Sequence, residues 1–130
     1  TADRAHWRGR AARHHADETV TRFVVVLFCW TVLGVHVRTI DGDTAVLDLS
    51  IWQGLTARET IRVLGVDTPE RKDPGWLAAR EFTDTWLRQG GMVNIQTCRR
   101  DSFGRILGYV SREGIRLDKV LIEKGLGVER

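Results

Sequence analysis

Two carboxylates stand two positions apart in Ile40-Asp41-Gly42-Asp43-Thr44. Asp-Gly is an ordinary hairpin signal. Paired carboxylates on a tight turn also attract a hard cation, which takes oxygen ligands. Val66-Asp67-Thr68-Pro69-Glu70 adds an Asp and a Glu three positions apart, with a proline stiffening the backbone between them. One of these carboxylates can hold a metal while the other faces a water. Arg62 stands among Ile61, Val63 and Leu64. Pointing inward, it needs an anionic partner, because an unpaired buried charge is very costly. That partner is either Asp41 or Asp43, in a structural bridge, or a phosphate. Asp101-Ser102-Phe103-Gly104-Arg105 reads as a turn. Arg105 is then either a solvated base or the second half of a clamp, since planar guanidinium groups bind phosphate oxygens bidentately. Each stretch alone is a weak signal. Together they form a hard-cation site, a carboxylate base and two phosphate clamps, the set that metal-assisted hydrolysis of a phosphodiester requires.

Those residues must be positioned by strands. Thr31–Ile40 reads as a first strand, and Thr44–Ile51 as a second with Leu47, Leu49 and Ile51 on one face. Trp52–Arg58 contains Gly54 and reads as a hairpin connection. Glu59–Val66 is a third strand, with Ile61 and Val63 facing away from Arg62 and Leu64. Asp67–Gly75 is a loop marked by two prolines. Pro74–Arg88 reads as a helix: Asp73 suits the cap, Pro74 the first position, and Ala78, Phe82 and Trp86 recur at i, i+4 and i+8. Met92–Cys98 and Arg105–Val110 are two further strands. Leu117–Lys124 is a short helix with Leu117, Val120, Leu121 and Lys124 on one side. Three strands, a helix, two strands and a helix predict a mainly β, α+β domain: a five-stranded OB-type Greek-key barrel with two helices.

Composition bounds the other possibilities. The chain has 130 residues, 42% hydrophobic and 28% charged, which is ordinary for one globular domain. Its net charge of +3 is uneven, because residues 1–22 hold five Arg against Asp3, Asp17 and Glu18. A basic face on the remaining residues must therefore be argued from local placement. His6, His14 and His15 fall in the same stretch, so a histidine-based triad would rest on His36 alone. Residues 1–22 read as a flexible basic leader. Phe23–Val35 is apolar apart from Thr31, too short to span a membrane, and of a length that suits a signal-peptide core. A long preceding region with Asp17 and Glu18, and the lack of an Ala-x-Ala site, count against that reading. Residues 23–30 stay open between the two. Cys29 and Cys98 are too few for a disulfide framework or a zinc site, and a bridge between them is neither required nor excluded.

From about Val35 to Val128 the chain resembles the staphylococcal nuclease (thermonuclease) family. The resemblance rests on VHVRTIDGDT, IRVLGVDTPE and DSFGR, in that order, followed by a short closing helix. It implies an OB barrel with flanking helices and Ca²⁺-dependent hydrolysis of DNA and RNA that leaves 3′-phosphate ends. By motif position, Asp43, Asp67 and the carbonyl of Thr68 would be metal ligands, with Asp41 a supporting carboxylate. Glu70 would activate or position the attacking water. Arg62 and Arg105 would hold the scissile phosphate and stabilise its transition state. Phe103 takes the place of a Tyr that touches a terminal phosphate, and Ser102 that of a basic residue, so a weaker hold on a phosphate end is expected. Longer members carry a third helix and an aromatic that covers the substrate base, and this sequence reaches Arg130 without either. Phe103 and Tyr109 are the candidate stacking residues, and single-stranded substrate is expected, since a shallow groove with stackers suits single strands. A monomer without stable membrane association is expected. Localisation stays open: many members are secreted, residues 23–35 would suit an export signal, and a cytosolic or phage protein would serve equally well. The competing class is a non-catalytic OB module that binds nucleic acid or protein. The complete carboxylate and arginine set argues against it.

Overall fold

Alternating apolar and polar residues carry the chain through long, strongly bent strands that share one interior. The structure is a computed structural model, and it describes residues 29–130. The basic leader over 1–22 and the open segment 23–28 lie outside the described residues. Strand β1 spans Trp30–Asp41, β2 Thr44–Trp52, β3 Leu55–Val63 and β4 Val66–Asp67. Helix α1 spans Trp76–Gln89. Strands β5 (Val93–Arg100), β6 (Ile106–Arg112) and β7 (Ile115–Arg116) follow, then helix α2 (Leu117–Glu123) and strand β8 (Val128–Glu129).

The main sheet runs β3-β2-β1-β5-β6-β7, and β3 also pairs with β6. That extra pairing closes β1, β2, β3, β5 and β6 into the expected five-stranded barrel with two helices. It is parallel, with Ile61 opposite Ile106 and Arg62 opposite Leu107, whereas the other barrel pairings are antiparallel. Leu47, Leu49, Ile61, Val63, Val93, Ile95 and Val110 fill the interior, each no more than 3% exposed. Leu87 from α1 and Leu117 and Leu121 from α2 seal it. Burial on this scale, at about 25 cal/mol per Å² of apolar surface, is the main force holding the barrel closed.

Several details differ from the sequence expectations. The second and third strands run on to a two-residue turn at Gln53-Gly54, so Ile51, Trp52 and Leu55 project beyond the barrel and are exposed. The third strand breaks at Leu64-Gly65, and Val66–Asp67 pairs instead with β8. Helix α1 starts at Trp76 with Gly75 as its cap, not at Pro74 after Asp73. Its buried face is Ala79, Thr83 and Leu87; Phe82 and Trp86 flank the core and Ala78 is exposed. The face is turned by one residue because the Thr83 hydroxyl has a buried partner, the Gly42 carbonyl at 2.6 Å. On α2, Asp118 is buried beside Leu117 and Leu121, and Lys124 is exposed.

Three polar devices tie the elements together. The Arg112 guanidinium on β6 donates to the last-turn carbonyls of Trp86 (2.6 Å) and Leu87 (3.1 Å) and lies 4.5 Å from the Trp86 ring centre, closing the end of α1 where carbonyls lack helical partners. Arg116 holds buried Asp118 with two hydrogen bonds, at 3.0 and 2.7 Å. Cys29 and Cys98 are joined as a disulfide at the start of β1 and near the end of β5. Among the described residues, no helix is long and apolar enough to cross a membrane.

Candidate active site

The connection between β1 and β2 is the tight turn Asp41-Gly42-Asp43-Thr44, and α1 lies directly against it. A side chain on Gly42 would meet the Ala79 Cβ at 2.8 Å and the Thr68 Oγ1 at 2.9 Å, so only glycine lets the helix and the Thr68 loop approach this closely. The Trp76 indole N–H donates to Asp41 Oδ1 at 2.7 Å. Asp43 is 8% exposed. Its Oδ1 accepts the Thr44 hydroxyl at 3.1 Å, and its Oδ2 accepts the Thr68 backbone N–H at 3.0 Å. The two acidic stretches seen in the sequence are thus bonded to each other.

The break at Leu64-Gly65 turns the chain so that Asp67 comes back over Arg62. Arg62 is 7% exposed and has the anionic partners that its position demands. One terminal nitrogen donates to the carbonyls of Val63 and Val66. The other donates to Asp67 and stands 3.5 Å from Asp43 Oδ2. Arg62 therefore bridges two carboxylates, one of them Asp43 as expected and the other Asp67. Glu70 is exposed at the next bend, where its carbonyl accepts the Asp73 N–H at 2.8 Å.

The loop 101–105 is organised by one carboxylate. Asp101 Oδ1 accepts the backbone N–H groups of Phe103 and Arg105, each at 2.9 Å, and Oδ2 accepts the Arg105 Nε–H at 2.7 Å. Desolvation pushes the Asp101 carboxyl upward, but the Arg105 side-chain bond and the two backbone N–H bonds outweigh it and hold the carboxyl below its ordinary value. With Nε engaged, the two terminal nitrogens of Arg105 have no hydrogen-bond partner among the described residues.

These pieces converge. Asp41, Asp43, Asp67, Thr68, Glu70, Arg62 and Arg105, all expected from the sequence, line one cleft of about 530 Å³. Asp73 and Arg130 line it too, and neither was anticipated. The donors present suit a hard cation: they are carboxylates, a carbonyl and a hydroxyl, with no sulfur or imidazole. The buried Thr68 Oγ1 in this wall has no hydrogen-bond partner. Among the described residues no three acidic, histidine or cysteine side chains close on a single point. Asp43, Asp67 and the Thr68 carbonyl are the oxygen donors that would hold a cation here, with water oxygens added to them. That is a pattern Ca²⁺ accepts.

Comparison with known proteins sharpens this description. Residues 60–129 match the family model described as staphylococcal nuclease homologue. The chain belongs to the staphylococcal nuclease family. It is 35% identical over 97 residues to "Endonuclease YncB" of Bacillus subtilis (strain 168), a match covering 68% of this chain and 44% of that protein. It is 32% identical over 97 residues to "SPbeta prophage-derived endonuclease YokF" of the same organism, covering 68% of this chain and 31% of that protein. An "Uncharacterized endonuclease" of Escherichia coli is 30% identical over 112 residues, 78% of this chain and 67% of that protein. The chain thus spans less than half the length of the two Bacillus relatives.

For a staphylococcal nuclease domain, the two aromatic candidates fall in different places. Phe103 is 83% exposed at the tip of the 101–105 loop, and its ring centre is 5.7 Å from the Arg105 guanidinium carbon. It lines a second groove beside the cleft, together with Arg99, Arg105 and Arg130. Tyr109 lines neither. It packs near Gly65 with the Arg116 guanidinium carbon 4.1 Å from its ring centre, a structural stack rather than an exposed platform. Arg130 escaped the sequence reading because its place at the cleft depends on β8 lying along β4. No local motif announces that pairing.

Proposed function

We propose that this chain is the catalytic barrel of a Ca²⁺-dependent nuclease that hydrolyses phosphodiester bonds of DNA and RNA to 3′-phosphate ends, acting as a monomer with single strands preferred. The observation that carries the reading is the convergence of Asp41, Asp43, Asp67, Glu70, Arg62 and Arg105 on one cleft. Asp43, Asp67 and the Thr68 carbonyl would hold the cation, with Asp41 in support. Bound Ca²⁺ supplies charge neutralisation, lowering the repulsion between an anionic phosphodiester and its nucleophile.

The remaining work falls to the chain's own side chains. Glu70, exposed and without an ion-pair partner among the described residues, would hold or deprotonate a water. That water attacks phosphorus, the bond to the 5′ oxygen breaks, and the products are a 3′-phosphate and a 5′-hydroxyl. Arg105, oriented by Asp101, presents its free nitrogens to the phosphoryl oxygens. Arg62 is tied to Asp67 at rest. Were Asp67 to hold a cation, the Arg62 nitrogen now bonded to it would be available to a phosphate. The two guanidinium groups meet the extra charge that develops only in the transition state, which is where binding energy raises the rate.

The test uses purified protein, single-stranded DNA and RNA, Ca²⁺ or a chelator, and the Glu70→Gln variant. Ca²⁺-dependent cleavage that the variant loses, with folding intact, is the expected result. Unchanged cleavage by Glu70→Gln would remove that residue from the reaction. Salt-sensitive binding without cleavage by the unaltered chain would move the protein to the class of non-catalytic modules.

A further inference from the structure

Asp67 has more cations than one carboxylate oxygen requires. Its Oδ1 accepts Arg62 and also the Arg130 guanidinium at 3.2 Å. The two arginines are held very differently. Arg62 is buried and wired to two carbonyls and to Asp43. The Arg130 side chain is 64% exposed, and Asp67 is its only ion-pair partner among the described residues. Its backbone, by contrast, is fixed. Val66 pairs with Glu129 and Asp67 with Val128, and the Arg130 N–H donates to the Gly65 carbonyl at 3.2 Å. The stem is anchored beside the cleft and only the head can swing. Arg130 also sits where the cleft meets the groove that carries Phe103 and Arg99.

From this geometry, and resting on the nuclease reading above, we propose that Arg130 is a displaceable counter-cation for Asp67. Its guanidinium occupies the carboxylate while no metal is there. Once released, it binds a phosphate of the nucleic-acid strand entering along the adjoining groove. An exposed ion pair is weak and readily exchanged, so a dication can displace it. Where it turns into the adjoining groove, a freed guanidinium meets other arginines and a single acid, Asp101, which Arg105 and two backbone N–H groups already occupy. A bidentate phosphate is the natural next partner. Metal occupancy and strand binding are thereby coupled through one side chain.

The experiment compares the full chain with Arg130→Gln and with Arg130→Lys. Calorimetric Ca²⁺ titration without nucleic acid should show Arg130→Gln binding about two- to fivefold tighter, because a competing cation is gone. Binding of a labelled single strand, measured in the Glu70→Gln background to prevent cleavage, should weaken about three- to tenfold in Ca²⁺. Its dependence on log salt should fall by about 0.7, the loss of one phosphate contact. In chelator the same substitution should change strand binding much less, and Arg130→Lys should restore part of the Ca²⁺-dependent binding. An unchanged Ca²⁺ affinity in Arg130→Gln overturns the proposal, as does an equal loss of strand binding with and without Ca²⁺. If the unaltered chain cleaves in Ca²⁺ and Arg130→Gln does neither thing, the nuclease reading survives and Arg130 does not. If both shifts occur in a chain that never cleaves, the reverse holds.

Discussion

Gly65→Ala should destabilise the domain far more than an ordinary glycine substitution in a turn. Gly65 has φ +89°, a conformation that strains any residue with a Cβ by about 1–2 kcal/mol. The added methyl would also stand 3.0 Å from Asp118 Cγ and 3.3 Å from Tyr109 Cε1. Asp118 is 1% exposed and doubly bonded to Arg116, so it cannot retreat without losing its partner. Breaking a buried ion pair costs about 3–5 kcal/mol. Partial displacement should bring the total to about 3–5 kcal/mol, a large share of the roughly 5–15 kcal/mol that a domain has. Gly54 is the internal control. Its φ is +73° but nothing lies within 4 Å of an added Cβ, so Gly54→Ala should lose only about 1 kcal/mol. Urea unfolding of both variants, followed by tryptophan fluorescence, gives the difference directly. Equal losses in the two would refute the claim that the Asp118 contact, rather than backbone strain, makes residue 65 a glycine. Because Gly65 lies in the turn between Arg62 and Asp67, cleavage by surviving folded Gly65→Ala should fall as well.

Three further outcomes follow from the same structure. Arg105→Lys should lower kcat about a hundredfold with little change in stability, because an ammonium cannot reproduce the fork; near-normal turnover would remove Arg105 from the reaction. Asp101→Asn keeps the acceptor for the Phe103 and Arg105 N–H groups but weakens the hold on the Arg105 Nε, so kcat should fall about tenfold or more while the unfolding midpoint barely moves. A matching loss of stability would mean that Asp101 serves only the loop. Stability should decline with acid in two stages. His36 is depressed below 6.5 by burial, which the nearby Asp84 carboxylate opposes and Arg88 reinforces. Its contribution is therefore present above the unfolded value and lost as pH falls through the folded one. Glu59, lowered from 4.5 chiefly by its hydrogen bond from Arg100, adds a second loss below that value. A urea midpoint that stays flat from about pH 8 to about pH 5 would contradict the His36 stage.

The barrel's elements were legible because the signals that define them are local. Alternation named five strands, and proline and glycine marked the bends. The candidate residues that share the cleft could be named from the sequence for another reason: Asp43, Asp67, Arg62 and Arg105 sit at or beside strand ends, and Glu70 in the loop after one, where short motifs survive intact. What escaped depends on contacts between distant segments. Thr83 was not named on the helical face, because its burial depends on Gly42, far away in the chain, offering its carbonyl. Asp118 was not named either, because its burial depends on Arg116 folding back over it. The break at Leu64-Gly65 looked like continuing strand because Val66 is as β-prone as Val63; what decides it is the pairing of Val66–Asp67 with β8. Arg130 belongs to the same class.

The parallel pairing of β3 with β6 has a consequence in time as well as space. It joins Ile61 to Ile106 and Arg62 to Leu107, so it brings together segments separated by β4, a whole helix and β5. Contacts across such long stretches of chain form late, after local hairpins have reduced the entropy of closing the loop. The same pairing brings Arg62 and Arg105 into the lining of one cleft. A chain caught before that last closure already holds all of its acids and arginines, yet Arg62 and Arg105 have not been brought together. A half-folded copy in that sense lacks its cleft, and the seam that completes the barrel also assembles the candidate site.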